Sequence, residues 1–140
     1  HPTAVRETLE AISHFYPGRR LYAMFEPRSN SSRRKVFQEA YGDAFDRADV
    51  IAIKEPPDPE KVPLDERLDT RRLVADICQR GREAYLFIDV NPMVDFVLDR
   101  CQAGDVLLAM SNGSFDGLPQ RLLAALKTKA NLPGHSPLGL

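Results

Sequence analysis

The chain has 140 residues, 43% of them hydrophobic and 28% charged, and 19 Lys and Arg set against 20 Asp and Glu leave a net charge of −1. That length carries one packed core and not two, the balanced charge offers no general attraction to nucleic acid or anionic lipid, and no apolar run approaches the roughly 20 residues that span a bilayer. Two cysteines without a CxxC neighbour give neither a disulfide framework nor zinc-ligand spacing, which suits a reducing cytoplasm.

His1-Pro2-Thr3-Ala4 opens the sequence without a methionine or an apolar leader, and reads as the start of a piece of something longer. From Thr3 to His14, Val5, Leu9 and Ile12 recur at helical spacing, with Thr3 as cap and Pro17-Gly18 as stop. A strand follows over Leu21 to Phe25. Ser31 or Ser32 caps the next helix, whose apolar stripe is Val36, Phe37, Ala40, Tyr41, Ala44 and Phe45, and Val50 to Ile53 makes a short buried strand. Residues Glu55 to Asp69 hold four prolines among charges, the composition of an exposed, extended excursion. Thr70 caps a helix through Arg80 that Gly81 ends. A strand over Ala84 to Ile88, a helix starting at Asn91-Pro92, a strand over Val106 to Met110 and a last helix from Pro119 to Lys127 complete the alternation. Residues 1–130 therefore predict one domain, and 131–140, with two prolines and two glycines, a loosely ordered tail.

Strands that alternate with helices are joined by right-handed crossovers and lie parallel. The expected fold is α/β: a three-layer, Rossmann-like open sheet, mostly parallel, with helices on both faces. In such a sheet the carboxyl ends of the strands share one edge, where ligands bind. Arg28-Ser29-Asn30, Lys54-Glu55, Asp89-Val90-Asn91 and Ser111-Asn112-Gly113 all fall there, as does His1 at the start of the helix feeding the first strand.

Each loop has a plain reading beside a functional one. Ser29 to Ser32 suit capping and turn formation as well as ligand contact. Arg33, Arg34 and Lys35 suit a solvated first turn, although cations there oppose the helix dipole and call for an anion nearby. Asn91-Pro92 is a helix start before it is a ligand contact. Ser111 to Gly117 is a strand-to-helix turn needing positive φ, or a nest of backbone N–H groups for a carboxylate or phosphate. Neither GxxxxGK[ST] nor GxGxxG occurs in the chain. His14 and His135 have no partners at ligand spacing and read as surface residues.

Taken together, three blocks carry a resemblance. His1-Pro2-Thr3 at a helix start resembles the end of the His-His-Pro-Thr motif that opens the third domain of the Mur ligases. Phe25-Glu26-Pro27-Arg28-Ser29-Asn30 and Met110-Ser111-Asn112-Gly113-Ser114-Phe115-Asp116-Gly117 are similar to the branch of that family that uses a tripeptide. The likeness runs from about Pro2 to Lys127 with the blocks in order. It implies a cytoplasmic bacterial enzyme of cell-wall peptidoglycan recycling that joins L-Ala-γ-D-Glu-meso-diaminopimelate to the lactyl carboxylate of UDP-N-acetylmuramate, consuming ATP with Mg²⁺. ATP and the metal are held mainly by a central domain, and UDP by a first domain, that this chain does not contain.

The resemblance also implies residue roles. Arg28 contacts an anion, either the tripeptide carboxylate or a phosphate, and a planar guanidinium suits this because it pairs bidentately. Ser29 and Asn30 hydrogen-bond the peptide, Asn112 and Gly113 present backbone N–H groups to a carboxylate, and His1 faces the nucleotide or acyl phosphate. No residue here is expected to be catalytic or to bind metal. The acidic residue and first histidine of the fuller motif would lie upstream of His1. Two other readings stay open: a stand-alone α/β module for a small anionic ligand, and an interaction domain whose loop edge docks a partner protein.

Overall fold

The computed structural model describes residues 1–27 and 35–130. Its elements are α1 (Pro2–Phe15), β1 (Leu21–Phe25), α2 (Gln38–Ala44), β2 (Val50–Lys54), α3 (Thr70–Gln79), β3 (Glu83–Phe87), α4 (Val90–Arg100), β4 (Val106–Met110) and α5 (Leu118–Ala130). The four strands form one sheet in the order β3-β2-β1-β4, and every neighbouring pair is parallel. Ala23 of β1 faces Ile51 of β2 on one side and Leu108 of β4 on the other. This is the expected three-layer α/β architecture with the sheet wholly, rather than mostly, parallel.

Alternation along the strands builds two cores. Leu21, Ala23 and Phe25 of β1, with Ile51 and Ile53 of β2, pack under Val5 and Leu9 of α1, Tyr41 and Ala44 of α2, and Leu73 and Ile77 of α3. Tyr22, Met24, Val50 and Ala52 point to the other face and meet Met93, Val94 and Val97 of α4 and Leu118 and Leu122 of α5. Both faces of β1 and β2 are covered, so these strands read as unbroken apolar runs. The outer strands β3 and β4 are only partly buried along their length.

Several element ends differ from the sequence reading, each for a local reason. His1, not Thr3, caps α1: its Nδ1 accepts the Thr3 N–H at 3.3 Å. Asp69, not Thr70, caps α3, its Oδ1 accepting the Arg72 N–H at 2.9 Å, which leaves the Thr70 hydroxyl to donate to Glu55 Oε1. Residues Lys35–Phe37 form a 3₁₀ turn before α2, so the stripe breaks and Val36 is 80% exposed. The proposed caps Ser31 and Ser32 lie outside the described residues, as does the tail from 131 to 140 with His135. The proline-rich excursion is less open than its composition suggests: it makes 3₁₀ turns at Pro59–Lys61 and Leu64–Glu66, and Val62 and Leu68 are buried. Its return is pinned by Gln38, whose amide donates to Asp69 O at 2.9 Å and accepts the Asp69 N–H at 2.7 Å. Cys78 and Cys101 are free thiols.

Candidate functional site

In the order β3-β2-β1-β4 the chain runs outward from β1 to one side and then crosses to β4 on the other. The topological switch point lies between β1 and β4, and a crevice opens at the carboxyl ends of such strands. A cleft of about 260 Å³ occupies that place, lined by His1 and Thr8 of the first helix region, Phe25 and Glu26 at the end of β1, and Met110, Ser111 and Asn112 at the end of β4.

The floor of the cleft is polar because two apolar strands end in charges. Glu26 follows β1 directly, and its N–H donates to Met110 O at 3.1 Å, carrying the ladder one step past the strands. Its side chain is buried at 1% exposure. Ser111 Oγ donates to Glu26 Oε1 at 3.0 Å and accepts the Gly113 N–H at 3.2 Å. Lys54, the last residue of β2, is also buried. Its Nζ lies 3.3 Å from Glu26 Oε2 and 3.5 Å from Asp116 Oδ2, and donates to Glu55 O at 3.2 Å. A buried ammonium is tolerated only with such partners.

The turn from Ser111 to Gly117 does need positive φ, but past the first glycine. Phe115, Asp116 and Gly117 take φ of 53°, 49° and 72°. The two non-glycine residues each carry a strain of order 1 kcal/mol or more, which persists only where the surroundings over-determine the conformation. Here the Phe115 ring is buried against the α4 and α5 core, and Asp116 faces Lys54.

Of the predicted site residues, His1 and Asn112 meet at the cleft, with Ser111 of the same loop beside them, and Gly113 is tied to it through its N–H, which Ser111 Oγ accepts. The His1 ring also stands edge-on to Phe37, with centroids 4.7 Å apart. Arg28, Ser29 and Asn30 lie outside the described residues. Asn91 is drawn elsewhere, its Oδ1 accepting from Arg121 of α5 at 2.7 Å. Sequence reasoning missed Glu26, Lys54 and Asp116 as a group. The available signal was a charge at the carboxyl end of each central strand, a costly place unless the charges pair.

Beside this cluster, burial pushes the Glu55 carboxyl above the usual carboxylate range, against the pull of Arg71 and Lys54. The folded chain therefore holds that proton more tightly than the unfolded one. The resulting stability is complete below the ordinary value of about 4.3 and is lost as pH rises through the raised one. Glu55→Gln keeps an acceptor for the Thr70 hydroxyl and removes the titration. The variant should melt above the parent at pH 7, with the two converging near pH 4; a variant that melts lower at neutral pH would refute this account of Glu55.

A parallel sheet covered by helices on both faces, with a polar cleft at its switch point, defines a Rossmann-like α/β domain. The family model described as Mur ligase, glutamate ligase domain matches residues 1–113, and the chain belongs to that family. It is 35% identical over 131 residues, 92% of its length, to the UDP-N-acetylmuramate–L-alanyl-γ-D-glutamyl-meso-2,6-diaminoheptandioate ligase of Haemophilus influenzae, of which it spans 26%. Among solved structures, the murein peptide ligase of Psychrobacter arcticus superposes with a TM-score of 0.76 at 27% identity, over 96% of this chain and 27% of that one. A solved domain from a Haemophilus ducreyi protein, assigned as a ligase of the same diaminopimelate tripeptide, superposes with a TM-score of 0.65 at 25% identity, covering 89% of this chain and 83% of that one. The chain thus spans about a quarter of the curated relative it resembles, while the solved domain is matched over most of its length.

Proposed function

We propose that this chain is the C-terminal domain of an ATP-dependent ligase that joins L-Ala-γ-D-Glu-meso-diaminopimelate to UDP-N-acetylmuramate in cytoplasmic peptidoglycan recycling, and that it binds the peptide and closes over the nucleotide. The observation that carries the reading is the switch-point cleft. There the residues after β1 and after β4, the two blocks that resemble the tripeptide-using branch, come together on one polar floor. The relative with the same tripeptide in its name supports the choice of substrate.

In this reading Arg28 pairs with a carboxylate of the tripeptide or with a phosphate, Ser29 and Asn30 hydrogen-bond the peptide, and the Asn112 N–H receives a carboxylate, whereas the Gly113 N–H, expected to do the same, is taken by Ser111 Oγ at 3.2 Å. His1, at the positive end of the 14-residue helix α1, faces the nucleotide or acyl phosphate. ATP with Mg²⁺ supplies the phosphoryl group that activates the lactyl carboxylate. Among the described residues no group of three or more His, Cys, Asp or Glu is placed to hold a metal ion. The work of the domain is positional: it clamps the anions and holds the tripeptide amine against the acyl carbon, where a fixed geometry replaces a chance encounter. Among the described residues no helix is long and apolar enough to cross a membrane.

The test is ligation with UDP-N-acetylmuramate, ATP and the tripeptide. The whole ligase should form the amide, whereas the 140-residue chain alone should release no phosphate and form no product. Phosphate release from the pure chain, abolished by a substitution within it, would overturn the division of labour. In parallel, the tripeptide should raise the melting temperature of the chain, while unrelated phosphates at equal concentration should not. Equal shifts with both would favour a generic anion module, and no shift with either a protein-docking role.

A further inference from the structure

We propose that Lys54, acting through Glu26, is a positioning residue of this site: the buried Lys54–Glu26 pair latches the turn from Ser111 to Gly117 at both ends, holding the Gly113 N–H on Ser111 Oγ, and so sets the direction in which Asn112 presents its N–H group. What that N–H group receives rests on the ligase reading above; the latch itself does not.

The argument starts from where Lys54 sits. It is the last residue of a central strand whose other four residues are apolar and buried. A lysine there loses most of its hydration and must recover it from fixed partners. Three are in place: Glu26 Oε2 at 3.3 Å, Asp116 Oδ2 at 3.5 Å and Glu55 O at 3.2 Å. Two of the three lead to the same turn. Glu26 takes the Ser111 hydroxyl at 3.0 Å, and Ser111 in turn takes the Gly113 N–H at 3.2 Å, which fixes the entry. Asp116 fixes the exit, at a left-handed φ of 49°. Replacing a buried ion pair by apolar groups of similar volume is commonly neutral or stabilising, so stability is a poor reason for this one. Geometry is a better one, because the turn carries two left-handed non-glycine residues and no helical or strand hydrogen bonds across Asn112 and Gly113 to hold it. Asp116 remains half exposed, so its bond to Lys54 is the part of the latch open to solvent.

Two variants separate the latch from simple stability. In Lys54→Met the carboxylate of Glu26 is left buried beside an apolar chain, which endangers the fold. In the double variant Glu26→Gln/Lys54→Met no charge remains buried, so the domain keeps its core whether or not the turn is held. In the 140-residue chain the backbone amide resonances of Asn112, Gly113 and Asp116 should shift in the double variant, while those of α1 stay where they are. In the whole ligase the KM for the tripeptide should rise about tenfold, with kcat changed less than about twofold because the lost contacts serve the bound state and the transition state alike. Lys54→Arg should recover part of the affinity, since the cation is restored. Unchanged resonances across the turn would overturn the latch, whatever the substrate. Shifted resonances with an unchanged KM for the tripeptide would leave the latch standing and overturn the assignment of Asn112 to the peptide.

Discussion

Phe45→Ala is expected to cost about 3–5 kcal/mol of folding stability, a large share of the roughly 5–15 kcal/mol that a domain of this size has in total. Phe45 follows α2 and is fully buried. Its ring lies 5.6 Å from that of Phe25, which in turn lies 5.4 Å from Tyr41, so three aromatic side chains fill the space between α2 and the middle of the sheet. Alanine leaves a void that helices resting on a rigid sheet cannot close. The cost is therefore the lost transfer of the ring plus the cavity it vacates. Urea unfolding should show the midpoint falling by more than about 1 M with the slope preserved. A fall of under about 0.5 M would mean that α2 collapses onto the sheet and that the packing is looser than drawn.

The parts of the fold that were legible in the sequence are those with a local cause. β1 and β4 match the sequence reading to the residue because each is five apolar residues held between charged or polar neighbours, Arg20 and Glu26 in one case and Asp105 and Ser111 in the other. α2 was misread at its start for an equally local reason. A stripe projected at 100° per residue places Val36 and Phe37 on one face, but Lys35–Phe37 turns at 3₁₀ spacing, and Val36 leaves the core. Asp69 and Thr70 are both good caps, and only the tertiary partner Glu55 decides which of them serves α3.

The site was legible as a set of loops and not as a network. His1, Ser111 and Asn112 were placed together by one topological argument, that carboxyl ends of parallel strands share an edge. The network in which Lys54 pairs with Glu26 and Asp116, and Glu26 takes the Ser111 hydroxyl, joins three stretches far apart in the chain. No periodicity or capping rule connects them. What the sequence offered was a cost without its compensation: a lysine closing a buried strand. Reading such costs as requests for a partner would have pointed to the carboxyl end of the neighbouring strand.

Arg28→Ala in the whole ligase should lower kcat/KM for the tripeptide roughly ten- to a hundredfold. The residue itself lies outside the described residues, and its role is proposed from the block it sits in. Of the same block, Phe25, Glu26 and Pro27 are buried, and Glu26 lines the switch-point cleft. The charge-assisted pair with an anion that is proposed for this guanidinium would be worth about 1.5–3 kcal/mol, which corresponds to that loss in rate. Arg28→Lys should restore only part, since an ammonium keeps the charge and loses the planar fork. The melting temperature should hardly move, because a loop arginine contributes little to either core. These effects differ in kind from those of the Glu26→Gln/Lys54→Met pair. Removing Arg28 deletes a contact and should leave the amide resonances of Asn112 and Gly113 in place, whereas removing the latch shifts them with Arg28 intact. Full ligation by Arg28→Ala together with a melting temperature lower by several degrees would make Arg28 a brace of the loop and remove it from the binding site.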